Sequence, residues 1–418
     1  MAWMLGERHH VTLFERRPAL GLGAQGHEVE TNGGSIRIDV PPRVFNAGHY
    51  KALAALLAET RMPTYEIAQR PSFTDERGRP YLGFDTKGSG DRSRSTLRMN
   101  LGAWRWLGCH GTELVRWKRF VQCGDLEQID PGETLADALR RLGFSSGFAD
   151  SFLYPMLTLM CTCTYEQLDA FPARPALTLA VHFGGNFATQ RLDGGTRELE
   201  RRLKSRVHEL RLGYAVSGID QQGDQMRVVT RQTSEAEAFD HVVLATDPYN
   251  TQRLIRAGRW KADGKLIATV PVHPTQMILH TDSGARAGSA RSPVALHYDK
   301  RQRRSSATLW MNAIEQETLR ETVLQSWEPA VEPDERHIKT RRTFHRALLS
   351  VASQRAMEQL RANMRDDPTR RLWYVGSYVA DGVPLLENGV RSARFVAQCI
   401  GSAHAPTGTI VRYGVGGA

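Results

Sequence analysis

The chain has 418 residues, enough for two or three lobes rather than a single core. Hydrophobic residues make up 41% and charged residues 24%, the balance of a folded globular protein rather than a disordered or fibrous one. The net charge of +10 is carried almost wholly by arginines spread along the chain. They form no aromatic-flanked stripe, which argues against nucleic acid and leaves an acidic substrate or an anionic membrane surface as partners.

No run approaches the ~20 apolar residues that span a bilayer. The five cysteines (Cys109, Cys123, Cys161, Cys163 and Cys399) include no CxxC pair. They read as reduced thiols, which points to a reducing, cytoplasmic setting. The histidines show no metal-ligand spacing and no GxSxG nucleophile motif is present, so no metal site and no hydrolase chemistry is expected.

Met1–Leu5 reads as the last turn of an apolar helix, followed by a strand over 11–15 that ends in Glu15. Alternation of Val29, Ile36 and Ile38 around Asn32-Gly33-Gly34 predicts a hairpin over 26–40. Residues 50–60 and 133–143 carry helical apolar spacing, the second with Gly143 as C-cap. A polar-faced helix is expected over 196–206 with Thr196 as N-cap. Strands follow at Val216 and Val228-Val229, joined at Gly223-Asp224, and a buried strand over 239–246. Leu372–Val375 reads as a strand running into a glycine, and Asn388-Gly389 as the start of a helix reaching Ile400. The charge-rich stretch 301–345 gives no clear pattern.

Four separated pieces share one logic. A strand ending in an acidic residue, such as Glu15, can accept the ribose hydroxyls of a dinucleotide, although taken alone it is usually just a strand end. Asp193-Gly194-Gly195-Thr196 offers a close backbone approach at a helix start, which an ordinary turn and cap also does. The strand ending in Ala245-Thr246, with Pro248 breaking the chain away, leaves small residues where a cofactor can pass. In the fourth piece a strand delivers Gly376-Ser377-Tyr378, and a helix dipole then begins near Glu387-Asn388-Gly389-Val390, suited to negative charge on a reduced flavin.

With these motifs in this order, the chain resembles the FAD-dependent oxidoreductases of the flavin amine oxidase and carotenoid desaturase superfamily. VTLFERRPALG, IDVPPRVFN, DGGTRELERRL, FDHVVLATD, TLWMN and WYVGSYVADGVPLLENGVRSA carry the resemblance, which covers nearly the whole chain. It implies an α/β fold in which a Rossmann-like FAD-binding lobe (1–50, 186–258, 366–418) is interleaved with an α+β substrate lobe (51–185, 259–365). It implies that Glu15 holds the adenosine ribose, that Gly21, Gly23 and Gln25 lie in the loop passing the pyrophosphate, and that Gly194 and Gly195 approach the cofactor. Val216 would pack beside adenine, and Ala245 and Thr246 would line the cofactor path. Gly376, Ser377, Glu387, Asn388 and Val390 would border pyrophosphate, ribityl chain and isoalloxazine.

Two departures shape the expectation. The strand and GxGxxG turn that open the family's fold are absent ahead of the first helix, and Leu22 interrupts the glycines of the following loop. Either the working protein is longer, or this chain is a relative that binds FAD weakly or not at all. The implied chemistry is hydride transfer from a small or lipid-like substrate to flavin N5, with desaturation or isomerisation of an apolar substrate as the alternative. The stretch 272–282, where amine oxidases of the superfamily place a lysine, holds His273, Gln276 and His280 but no lysine, which weakens amine oxidation. Candidate pocket residues are Tyr154, Trp310, Asn312 and Tyr378, although core packing is the better account of each aromatic taken alone. Peripheral membrane contact and oligomeric state stay open.

Overall fold

The structure, a computed structural model, describes residues 1–20, 26–46, 48–67, 70–87, 94–184, 189–233, 235–256, 259–285 and 292–403. Two hydrophobic cores organise it. The larger gathers Phe45, Leu53, Phe73, Trp106, Phe148, Leu177, Leu296 and Trp327; the smaller gathers Leu244, Ile255, Leu360, Trp373, Tyr374 and Val396.

Beside the larger core stands an eight-stranded sheet. Its order is Ile338–Ala347, Val272–His280, Leu324–Trp327, Arg304–Trp310, Val294–Asp299, Pro71–Thr74, Pro80–Lys87, Arg94–Leu97. Its pairs are antiparallel except Val294–Asp299 with Pro71–Thr74, which run parallel. Helices Leu101–Cys123 and Tyr154–Cys161 pack on it. The charge-rich stretch that gave no pattern in sequence supplies three of these strands. Its charges are accommodated because cations meet carboxylates from neighbouring segments, as Lys339 meets Glu321 and Arg341 meets Glu332 at 2.6 Å.

Two separate parallel ladders stand apart from the large sheet, and the smaller core includes residues of the second. Thr12–Glu15 pairs with Glu209–Leu212, and Val242–Leu244 with Leu372–Tyr374; no ladder joins the two pairs among the described residues. An antiparallel meander, Val216–Gln222, Gln225–Thr230 and Glu237–Phe239, lies beside them.

Several expected boundaries move. The strand expected over 239–246 splits, because Phe239 ends the meander while only Val242–Leu244 joins the parallel ladder. The helix expected from Thr196 starts at Gly195, and its N-cap is Gly194 at φ +74°, a left-handed geometry that favours glycine. Thr196 is instead gripped by Asp39, whose Oδ2 accepts from the Thr196 N–H at 3.0 Å and whose Oδ1 accepts from its hydroxyl at 2.5 Å. The last helix begins at Leu386 rather than at Asn388-Gly389, so those two residues fall inside its first turn.

Helix Lys51–Glu59 has no N-cap side chain of its own. Glu387, remote in sequence, supplies one: its Oε1 accepts from the Ala52 N–H and its Oε2 from the Leu53 N–H, both at 2.9 Å. At the other end of the same helix, Glu59 pairs with Arg394 at 2.6 Å. Both steps advance seven residues, about 10 Å of helix, so Lys51–Glu59 and Leu386–Ala403 run parallel and in register. Glu387→Ala leaves the buried Leu53 N–H and the half-buried Ala52 N–H unpaired, and the expected loss is about 2 kcal/mol in urea unfolding. A loss below ~0.5 kcal/mol contradicts the capping role.

His280 is fully buried in the large sheet, with Nε2 2.9 Å from the Ser326 hydroxyl. Burial lowers its pKa to about 4. The unfolded chain binds this proton near pH 6.5 and the folded chain does not, so stability present above pH 6.5 is lost as pH falls toward 4. The loss amounts to about 3 kcal/mol by linkage. Thermal melts of His280→Gln against the parent across that range are expected to show a flatter acid limb; parallel limbs contradict the assignment.

Candidate functional site

One large cavity, about 1080 Å³, is lined chiefly by residues of the larger core, with the last helix closing one side. It matches the upper end of ligand-pocket sizes. Its walls come from distant segments. The large sheet turns Thr275 and Met277, Leu296, Leu309, Phe344 and Arg346 into it, the alternate positions of each strand sharing a face. Helix Tyr154–Cys161 adds Met156, Leu159 and Met160, and helix Lys51–Glu59 adds Leu53 and Leu56. Leu386, Gly389, Val390 and Ala393 of the last helix close another side. The two parallel helices thus bring their N-terminal ends to the same wall, where their aligned dipoles leave partial positive charge.

The polar residues of the wall are chiefly hydroxyls and cations, with no carboxylate among the described lining residues. Burial lowers the pKa of the Arg43 guanidinium, and the charge of Arg346 lowers it further, while Asp39 and Tyr50 act in the opposite direction. Arg43 still keeps part of its surface accessible, because that surface faces the cavity. Arg346 donates to the Met160 carbonyl at 3.2 Å. Burial raises the pKa of Tyr50, which keeps its hydroxyl a neutral donor. At the far side the cavity reaches solvent: Lys118 and Gln122, one helical turn apart, are its only exposed lining residues among those described.

Of the residues expected at a cofactor, Ser377 and Val390 lie on this wall. Gly376 is tied to it, since its N–H donates to the Ser392 hydroxyl, which donates to the Gly389 carbonyl. A side chain at Gly376 would start 2.8 Å from the Tyr378 ring, so close packing demands glycine there. Glu387 and Asn388 turn away from the cavity: Glu387 caps the neighbouring helix, and the Asn388 amide donates to the Asp381 carbonyl at 2.7 Å. Gly194 and Gly195 immediately precede Thr196, which is on the wall; a side chain at Gly195 would start 3.1 Å from an Asp39 oxygen. Ala245 and Thr246 are exposed at the end of their strand. The Thr246 hydroxyl bonds that of Thr251 at 2.7 Å, and Thr251 bonds the Tyr378 hydroxyl at 3.2 Å. Glu15 accepts from the Arg17 N–H at 2.8 Å, and Val216 pairs with Thr230 in the meander; neither lines the cavity. Gly21, Gly23 and Gln25 lie outside the described residues.

None of the four pocket candidates lines the cavity. Tyr154 points the other way, donating to Asp169 at 2.7 Å under the Arg303 guanidinium, which bridges Asp150 and Asp169. Asn312 closes a local turn, accepting from the Val323 N–H and donating to the Glu321 carbonyl, both at 2.8 Å. Trp310 sits at the end of its strand and Tyr378 in the smaller core. Sequence reasoning assigned no role to Arg43, Tyr50, Arg346, Lys118 or Gln122. The one available signal was an arginine inside the apolar run Val40-Pro-Pro-Arg-Val-Phe45.

The wall fits a flavin. A side chain at Gly389 would meet nothing within 4 Å, so the last helix presents bare backbone to open cavity near its N-terminus. Val390, Leu386, Leu53 and Ser377 offer an apolar flank with one hydroxyl.

The sequence model described as flavin containing amine oxidoreductase matches residues 2–400. A search of the curated proteins finds no match. Among solved structures, cyclohexylamine oxidase from Brevibacterium oxydans IH-35A is 13% identical with a TM-score of 0.62, the match covering 96% of each chain. Putrescine oxidase bound to putrescine is 13% identical at TM-score 0.62, covering 96% of this chain and 95% of that one. A CLA-producing fatty acid isomerase from P. acnes is 12% identical at TM-score 0.63, covering 97% of this chain and 96% of that one. At such identities these likenesses speak to the fold. The match over residues 2–400, on a fold with this cavity, shows that the chain belongs to the flavin-containing amine oxidoreductase family, enzymes that are FAD-dependent oxidoreductases.

Proposed function

We propose that this enzyme uses FAD to oxidise or rearrange an apolar, lipid-like substrate held in the large cavity. The observation that carries the reading is the wall itself: Phe152, Met156, Leu159, Leu296, Leu309 and Phe344 surround space that only a large apolar body fills well. FAD when bound accepts a hydride from a substrate C–H at N5. This chain's residues hold that C–H against the flavin, exclude water and set the local charge.

Two further observations weigh against an amine substrate. The sheet strand Val272–His280 presents Thr275 and Met277 to the cavity and no lysine. Arg43 and Arg346 on the wall repel an ammonium group. That one structural neighbour is a fatty acid isomerase supports the lipid-like alternative. The split ranges 1–50, 186–258 and 366–418 would serve as the cofactor lobe in this reading, with the intervening ranges shaping the substrate side. The five free cysteines, two of them exposed, favour a reducing, cytoplasmic setting.

The test is the flavin spectrum of the purified protein, followed by anaerobic mixing with oleate or linoleate and, separately, with putrescine. Bleaching or product formation with the fatty acids and none with putrescine is expected. Leu309→Trp, which fills cavity space, is expected to keep the flavin and slow the fatty-acid reaction at least about tenfold. A protein that takes up no FAD, or one bleached by putrescine alone, overturns the reading.

A membrane surface is the source of substrate this reading favours. No helix among the described residues is long and apolar enough to cross a membrane. Yet Leu101 and Trp104, 69% and 65% exposed, stand at the start of helix Leu101–Cys123 beside exposed Met99. At 100° per residue Trp104, Val115 and Gln122 share one face, flanked by Lys118 and Arg119. That face carries both apolar anchors and cations to the cavity opening, the pattern of an interfacial helix. Cosedimentation with phosphatidylglycerol vesicles is expected, and Leu101→Glu with Trp104→Glu is expected to weaken it about tenfold. Equal pelleting of parent and variant rejects the surface assignment.

A further inference from the structure

Arg43 is the most unusual group on the cavity wall. It enters the cavity just ahead of strand Val44–Asn46 and, among the described residues, has neither a hydrogen-bond nor an ion-pair partner. An arginine removed from bulk water without a partner is costly, so its persistence calls for an anion. A second arginine makes the demand stronger. Arg346 faces the same space, close enough for its charge to lower the Arg43 pKa, and among the described residues its guanidinium bonds only the neutral Met160 carbonyl.

The nearby carboxylates do not meet this demand. Asp39 lowers the local potential, but both its oxygens are committed to Thr196. Glu387 spends both oxygens on the Ala52 and Leu53 N–H groups. Tyr50, beside Arg43 on the wall, contributes a neutral hydroxyl that makes no bond to the protein among the described residues. Two guanidinium groups and a phenol therefore border one cavity, with no carboxylate among its described lining residues. Guanidinium forks match a carboxylate well, and the low polarity around them strengthens each charged bond.

What surrounds the cations selects the rest of the ligand. Phe344 lies two residues from Arg346 on the same strand face, and Met156, Leu159 and Met160 of helix Tyr154–Cys161 line the same cavity. We propose that Arg43, Arg346 and the Tyr50 hydroxyl form a carboxylate-binding subsite that orients a long-chain monocarboxylic acid, its apolar tail running along the Phe344 and Met156 side. The inference rests on the reading that the cavity takes the substrate. The carboxylate fixes one end of the chain, so the position of the reacting C–H is set by its distance along the tail from the acid.

The test is binding, not turnover, on the FAD-loaded protein. Oleate, oleyl alcohol and hexanoate are titrated by equilibrium dialysis into the parent, Arg43→Met and Arg346→Met, with the flavin-to-protein ratio recorded for each. Oleate is expected to bind the parent at least about tenfold more tightly than either oleyl alcohol or hexanoate. Each variant is expected to lose that preference over the alcohol, to bind oleyl alcohol within about threefold of the parent, and to keep its flavin. Unchanged oleate binding in both variants overturns the subsite. Parallel loss of oleate and alcohol also overturns it, as does loss of flavin, which assigns the cations to the cofactor. Hexanoate binding as tightly as oleate overturns the long-chain part. Arginine-dependent oleate binding without any flavin reduction or product sustains the subsite and rejects the proposed reaction, so the two claims fail separately.

Discussion

A single carboxylate sets the relation between the two walls on which the cavity depends. Glu387 lies in the first turn of one helix and caps the first turn of another, so one negative charge answers two helix N-termini. With Arg394 and Glu59 fastening the second helix further along, two helices from opposite ends of the chain are locked parallel. Their dipoles then add instead of cancelling, and the bare backbone at Gly389 is held beside Leu53 and Leu56 on one wall. Antiparallel packing would remove both features.

The same economy of charge governs the interior. Acidic groups near the cavity are consumed by backbone and hydroxyl donors, as Asp39 is by Thr196. The cations on the wall are left to face the cavity. An apolar enclosure with fixed positive charge at one place discriminates by both shape and sign, which a purely greasy pocket cannot do.

Much of the fold was legible in sequence where local signals and tertiary demands agree. The hairpin at Asn32–Gly34, the helix at Lys51–Glu59 and the turn at Gly223 obey their own turn and period rules. The long helix Leu101–Cys123 was missed because Gly102, Gly108 and Gly111 lower its propensity and its solvent face is partly apolar. The strands over 304–347 were missed because charge in a strand reads as loop until its partners across space are known. At the site, the segment 376–390 was legible as a unit but not residue by residue. Helical rotation sends Gly389 and Val390 to the cavity and Glu387 and Asn388 to backbone partners, and only a known helix start fixes which is which. Tyr154 and Asn312 were chosen for their chemistry, yet their polar atoms are occupied by Asp169 and by a turn.

The exposed pair Lys118 and Gln122 gives the cavity a doorway built from side chains on a regular helix rather than from a hinged loop. Such a threshold yields by rotamer hops, which exposed side chains make within nanoseconds, instead of by the slower swing of a flap. Passage through such an opening is set by side-chain rotation and not by the displacement of backbone.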